Sequence, residues 1–296
     1  MSAADASAPA RAESRGSARP AGGAGTVRAS VRLLRSELRL IVGRRRNQAG
    51  MLVLAAVPVL IAVALRVSAG DEEGGGGLLA LANNGIFVAL TALSVEIALF
   101  LPLAVAALSG DAIAGEANQG TLRYLLTVPV GRTRLLVVKY VSLVIGAGIG
   151  VLVVAGTGVV VGGALLGLGP TTLLSGAQIG LADALLRLAL AGAYITAGLA
   201  GLAGIGLFVS TLTEQPIGAM IAVTVASTAM WIMDSIPQLD WLHPWLLVHR
   251  WSALADAFRD PIFWDTMRTG LLVDLAYAAL FTTLAWARFA RKDITS

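Results

Sequence analysis

Six apolar runs, near residues 48–67, 84–108, 137–163, 186–209, 216–234 and 270–288, dominate the chain. Each approaches or exceeds the roughly 20 residues that, at 1.5 Å per residue, cross about 30 Å of hydrocarbon. Three polar stretches stand out around these runs. Before the first run, Val27, Val31, Leu34, Leu38 and Ile41 recur at helical spacing beside a stripe of Arg28, Arg32, Arg35 and Arg39. That pattern predicts an amphipathic helix over 27–47 lying on the membrane surface, closed by Arg44, Arg45 and Arg46. Between the second and third runs lies DAIAGEANQGTLRYLLTVPVGRTRLLVVK, Asp111 to Lys139, whose acids, cations, glycines and proline place it in water beside the membrane. The third stretch, Asp234 to Thr269, carries Trp241, Trp245, Trp251 and Trp264 among Pro237, Pro244 and Pro261. Amphipathic tryptophan favours the headgroup level, so short helices near 247–258 and 261–269 are expected to cap that end.

The pattern predicts an all-α polytopic membrane protein with six transmembrane helices. Residues 1–26 lack any apolar run and read as a disordered cytoplasmic tail. The six-span domain covers 48–290, with an interspan loop at 110–136 and an external segment at 235–269, and 291–296 form a second tail. Composition agrees: 56% of residues are hydrophobic and 14% charged, with a mean hydropathy of +0.78, whereas soluble domains are about a quarter charged. The pI near 9.9 reflects topology rather than nucleic-acid binding, because lysine and arginine gather on the cytoplasmic side of membrane proteins. With the amino terminus inside, 17 of the 22 cations fall on cytoplasmic segments, while Asp71, Glu72, Glu73, Asp234, Asp240, Asp256, Asp260 and Asp265 fall outside. Both termini are then cytoplasmic, as an even number of spans requires. The connection at 210–216 has no Lys or Arg and is placed only by its neighbours.

Candidate chemistry is sparse. Cysteine is absent, which excludes disulfides, thiolate metal sites and cysteine nucleophiles. No phosphate-binding G-x-x-x-x-G-K-[ST] motif, Gly-x-Ser-x-Gly elbow or His-Glu-x-x-His pair occurs, so the chain offers no ATP site of its own, no catalytic residue and no metal centre. Few methionines and no cysteine argue against copper as cargo. Glu96 lies near mid-span, where a carboxyl is costly unless it faces protein or water, and it is a candidate for a translocation path or for a structural role. Asp274 reads as interfacial, Pro58 and Pro102 as kinks. Gly146 with Gly150, and Gly198 with Gly201 and Gly204, mark faces where helices approach closely.

The order Asp111, Gly115-Glu116, Gly120-Thr121, Leu122, Leu125-Leu126, Pro129, Arg132 and Lys139-Tyr140 resembles the permease subunits of type-two ATP-binding-cassette (ABC) transporters. The six spans, the preceding surface helix, Ser210-Thr211-Leu212-Thr213 and the ending Phe289-Ala290-Arg291-Lys292-Asp293-Ile294 extend the resemblance over about 30–294. It implies a cytoplasmic coupling helix between spans two and three, seated in a groove of a separate ATPase. Gly115 and Gly120 would let the backbone turn, Thr121 would cap the helix and Pro129 end it. Leu122, Leu125 and Leu126 would form its apolar anchor, with Arg123, Arg132 and Arg134 as a charged rim. Glu116 would pair with one of those arginines or accept a backbone amide. The resemblance further implies two copies of a cytoplasmic ABC ATPase that bind the ATP and Mg, a second permease, identical or similar, and export across the cell membrane. A non-transporting scaffold or regulatory anchor, and an ion-coupled transporter using Glu96, are the alternatives.

Overall fold

A computed structural model describes residues 23–71, 84–118, 120, 131–173 and 175–291. Among the described residues, six helices are long and apolar enough to cross a membrane, the second of them running on from Phe100 to Asn118. Helix α1 (Gly23–Gly43) precedes α2 (Arg45–Asp71). Helix α1 thus ends four residues before the expected boundary, and only Arg44 separates it from the first span, so Arg45 and Arg46 open α2 rather than close α1. Pro58 lies inside α2 without ending it.

The second apolar run is not one helix. It divides into α3 (Gly85–Glu96) and α4 (Phe100–Gly110) around a turn at 97–99. The cause is Pro102: it has no N–H to give the Ala98 carbonyl, and its ring crowds that oxygen. The amides of Ala98 and Leu99 accordingly bond three residues back, to Val95 and Glu96. Asn84 caps α3, accepting from Ile86 N at 2.9 Å while its amide nitrogen donates to Gly169 O and Thr171 Oγ1.

Helix α5 (Arg132–Leu166) is a single helix of 35 residues, longer than a bilayer core and therefore tilted or projecting. A small antiparallel pair, β1 (Thr171–Thr172) and β2 (Gln178–Ile179), registers Thr171 with Ile179 and leads into α6 (Leu181–Leu212). Helix α7 (Pro216–Asp234) begins with proline at its first position, where no amide partner is needed. Helix α8 (Trp264–Arg291) completes the set.

Helix α6 is the hub, with Ile195, Leu199, Leu202 and Leu207 fully buried. Its glycines explain how neighbours come so near. A Cβ on Gly198 would stand 2.5 Å from Trp251 Nε1, on Gly201 2.8 Å from Leu247 and on Gly204 3.4 Å from Ala278. That stripe therefore seats both α8 and the tryptophan-rich segment. The closest helix crossing lies elsewhere: a Cβ on Gly158 or Gly162 of α5 would run into the backbone of Ala89 or Gly85 of α3, at 2.6 and 2.7 Å. Helices α2, α7 and α8 turn Leu52, Leu60, Ile217, Val225, Leu272 and Leu275 outward, leaving apolar faces for lipid or another chain.

The tryptophan-rich segment is made of 3₁₀ turns at Pro237–Leu239, His243–Trp245 and Trp251–Phe258. The expected helix at 261–269 is instead the start of α8, which begins at Trp264 just beyond Pro261. Trp241, Trp245 and Trp264 are exposed, whereas Trp251 is buried edge-on to Trp231 at 6.3 Å. Tyr194 Oη donates to Arg250 O and Tyr277 Oη to Trp245 O, which tie the segment to α6 and α8. Asp274 is 2% exposed, enclosed within the bundle.

Candidate functional site

At the arginine-rich end of the bundle, α4 runs into one wide π-type turn, Asp111–Gly115, continued by Glu116–Asn118. Widening a helix displaces amides from their usual acceptors. Ser210, buried near the end of α6, takes them: its Oγ accepts from Ile113 N at 3.1 Å and Ala114 N at 2.9 Å, and donates to Gly110 O at 3.2 Å. One hydroxyl thereby uses its proton and both lone pairs. Gly115 lies within this turn and does not reverse the chain. Gly120 has φ of +69°, a conformation that glycine reaches without strain.

The turn presents its two acids inward. Asp111 receives Arg44 Nη1 at 2.7 Å and Arg46 Nη2 at 2.5 Å, with Arg46 Nη1 at 3.3 Å on its other oxygen. Arg46 therefore holds the carboxylate in a two-pronged grip, among the stronger hydrogen-bonding geometries. Glu116 lies 3.0 Å from Lys139 Nζ, and the same ammonium lies 3.2 Å from Glu37 of α1. Lys139 is 2% exposed, and an ammonium so placed needs paired acceptors. Glu116 thus meets a lysine of α5. A polar cavity of about 40 Å³, lined by residues including Glu37, Arg44, Asp111, Glu116 and Lys139, lies among these groups. It exceeds the roughly 10–15 Å³ that one water requires.

On the far side of the loop, Arg132 Nη1 donates to Ala290 O at 2.8 Å, and Trp286 Nε1 donates to Thr133 Oγ1 at 2.9 Å. The loop is consequently anchored to α1 and the α1–α2 junction before it and to the end of α8 after it. Thr121, Leu122, Arg123, Leu125, Leu126 and Pro129, the expected cap, anchor, rim and stop of a docking helix, lie outside the described residues. The sequence pattern did not identify Arg44, Arg46, Glu37 or Ser210 as parts of this site. Arg44 and Asp111 are 67 residues apart and Glu37 and Lys139 are 102 apart, so no local spacing joins them. The available signal was Lys139 itself, a lone ammonium inside an apolar run that needed an acid.

Glu96 closes α3 at the break and is fully buried, with no hydrogen-bond partner for either carboxylate oxygen among the described residues. It faces protein rather than lipid, beside the turn that separates α3 from α4. A second, apolar cavity of about 350 Å³ lies between α1, α2, α4, α5 and α7, bordered by Arg46, Met51, Leu54, Phe100, Gly150 and Met220.

Comparison with known proteins gives one family. Residues 44–230 match the model of a family described as ABC-2 family transporter protein. The matched span opens at Arg44, so it holds Asp111, Glu116, Lys139 and Ser210 and leaves out α1, the tryptophan-rich segment and α8. No curated protein matches the chain.

Proposed function

The chain belongs to the ABC-2 transporter family, and from that premise we propose that it is the permease subunit of an exporter whose ATP is hydrolysed by a separate cytoplasmic ATPase. The family is a membrane transport component, and the chain's sequence carries no phosphate-binding loop. The proposed assembly has two permeases, identical or similar, and two ATPase subunits that bind the ATP and Mg. The arginine-rich end faces the cytoplasm, with both termini there, and the tryptophan-rich segment faces outside.

The observation that carries this reading is the double anchoring of the interspan loop. A loop free to flex would absorb a push from a soluble partner. This one is fastened through Asp111 and Glu116 to α1, α2 and α5, and through Arg132 to α8. Force applied to these two flanks therefore reaches four helices together. The break at 97–99 supplies a hinge, so α4 can tilt with the loop while α3 stays packed on α5. Closure of the ATPase pair then favours the outward-open state through its differential contacts with the loop.

Leu126→Asp in the permease, co-purified with its ATPase and reconstituted in vesicles, tests the reading. Loss of the permease's effect on ATP hydrolysis, with unchanged unfolding of the permease itself, is expected. Hydrolysis and transport identical to the wild type would refute the coupling role.

A further inference from the structure

The chain has two histidines, and the fold brings both to one acid at the tryptophan-rich end. Asp234 is the last residue of α7, His243 opens a 3₁₀ turn nine residues later, and His249 precedes the next such turn. One side-chain donor atom from each lies within 4.8 Å of the other two. His249 Nδ1 is 2.6 Å from Asp234 Oδ1, and the two imidazoles lie 5.6 Å apart, centre to centre.

The tautomer of His243 is fixed by its surroundings. Its Nε2 is 3.1 Å from the carbonyl oxygens of both Met233 and Ile236. Carbonyls only accept, so in the neutral ring Nε2 carries the proton and Nδ1 presents a lone pair. This is how ligating imidazoles are oriented, with the remote N–H held by backbone oxygen. Asp240 Oδ1 lies 3.5 Å from that free Nδ1, available as a further oxygen ligand. The three side chains are sheltered but reachable, with 12% of His243, 16% of Asp234 and 32% of His249 exposed.

We propose that Asp234, His243 and His249 form a zinc(II) site that clips the end of α7 to the outer segment. Two imidazoles and a carboxylate suit a borderline ion. Tetrahedral ligands at about 2.1 Å from zinc stand about 3.4 Å apart, so closing this trio needs small side-chain rotations. At the His249–Asp234 contact the ring moves its proton from Nδ1 to Nε2 through solvent and gives the freed lone pair to zinc, with no net change in protons. Water or Asp240 fills the remaining position. The clip would hold the outer mouth by joining two elements that the sequence separates.

The test uses the full chain, purified in detergent with a histidine-free affinity tag, exposed to zinc chloride and dialysed. One zinc per chain is expected, with X-ray absorption at the zinc edge showing two imidazole nitrogens, and a higher unfolding temperature that magnesium does not reproduce. His243→Ala and His249→Ala should each remove the bound zinc and the temperature shift. No retained zinc, fewer than two imidazoles around it in the wild type, equal stabilisation by magnesium, or full retention by the double variant would each overturn the proposal. The absorption spectrum of the wild type decides the matter even if the variants fold poorly.

Discussion

Lys139→Met is the most informative perturbation of the loop anchor. Lys139 Nζ lies 3.0 Å from Glu116 Oε1 and 3.2 Å from Glu37 Oε1, with its side chain 3% exposed. At this separation and an effective dielectric near 20, each pair attracts by about 5 kcal/mol, most of which offsets the desolvation of the ammonium. Methionine keeps much of the stem's bulk and removes the charge, leaving two carboxylates without their shared cation. Their side chains are 16% and 20% exposed, so water relieves part of the penalty. The expected loss of stability is at the lower end of the range for broken buried pairs, about 3 kcal/mol. Glu37→Gln and Glu116→Gln leave the lysine one carboxylate each and should cost about 1 kcal/mol apiece. Unfolding of the purified chain in mixed micelles, followed by tryptophan fluorescence, provides the assay. Because the three groups form one network, Lys139→Met combined with Glu116→Gln should cost less than the two separately, by about 1 kcal/mol or more. A Lys139→Met protein as stable as the wild type, or strictly additive costs, would refute the reasoning.

Ser210→Ala strips the acceptor from the amides of Ile113 and Ala114 and should destabilise the chain by about 1–3 kcal/mol in the same assay; an unchanged protein would show that the π-type turn does not need it. Glu96→Leu replaces an unpartnered buried carboxyl with an apolar group and should raise stability by about 1 kcal/mol or more, while slowing transport if the acid serves the moving parts; lowered stability would contradict its description as unpartnered. The absence of cysteine makes orientation directly testable. Ser235→Cys should react with a membrane-impermeant maleimide in intact cells and Ser36→Cys only after lysis, and the reverse pattern would invert the proposed topology.

The apolar runs made the six long helices legible because the bilayer demands length and hydrophobicity, which are written locally. Small-residue spacing likewise marked the α6 stripe, but it could not say that Trp251 would fill the space over Gly198. The sequence alerted us to Pro102 as a kink, yet a proline at that place ended one helix and began another, since the neighbouring turn could absorb the lost hydrogen bond. The burial of Asp274 was not legible, because it depends on the segment folded over it. The loop motif was readable as an order of residue types. That Arg44 and Arg46 would hold its Asp111 was not readable, because those arginines come from an element far away in the chain. The histidine–aspartate trio was invisible for a related reason: three residues spaced over two turns and a helix end have no periodicity to betray them.

The central claim is that the segment between Asp111 and Arg132 is gripped by a nucleotide-driven partner. A photo-crosslinking amino acid at position 125, in the full chain co-expressed with its ATPase, tests it most directly. The account predicts a crosslinked permease–ATPase product whose yield changes when ATP is trapped. Crosslinks to lipid alone, or reaction of that position with a reagent confined to the outside, would contradict it.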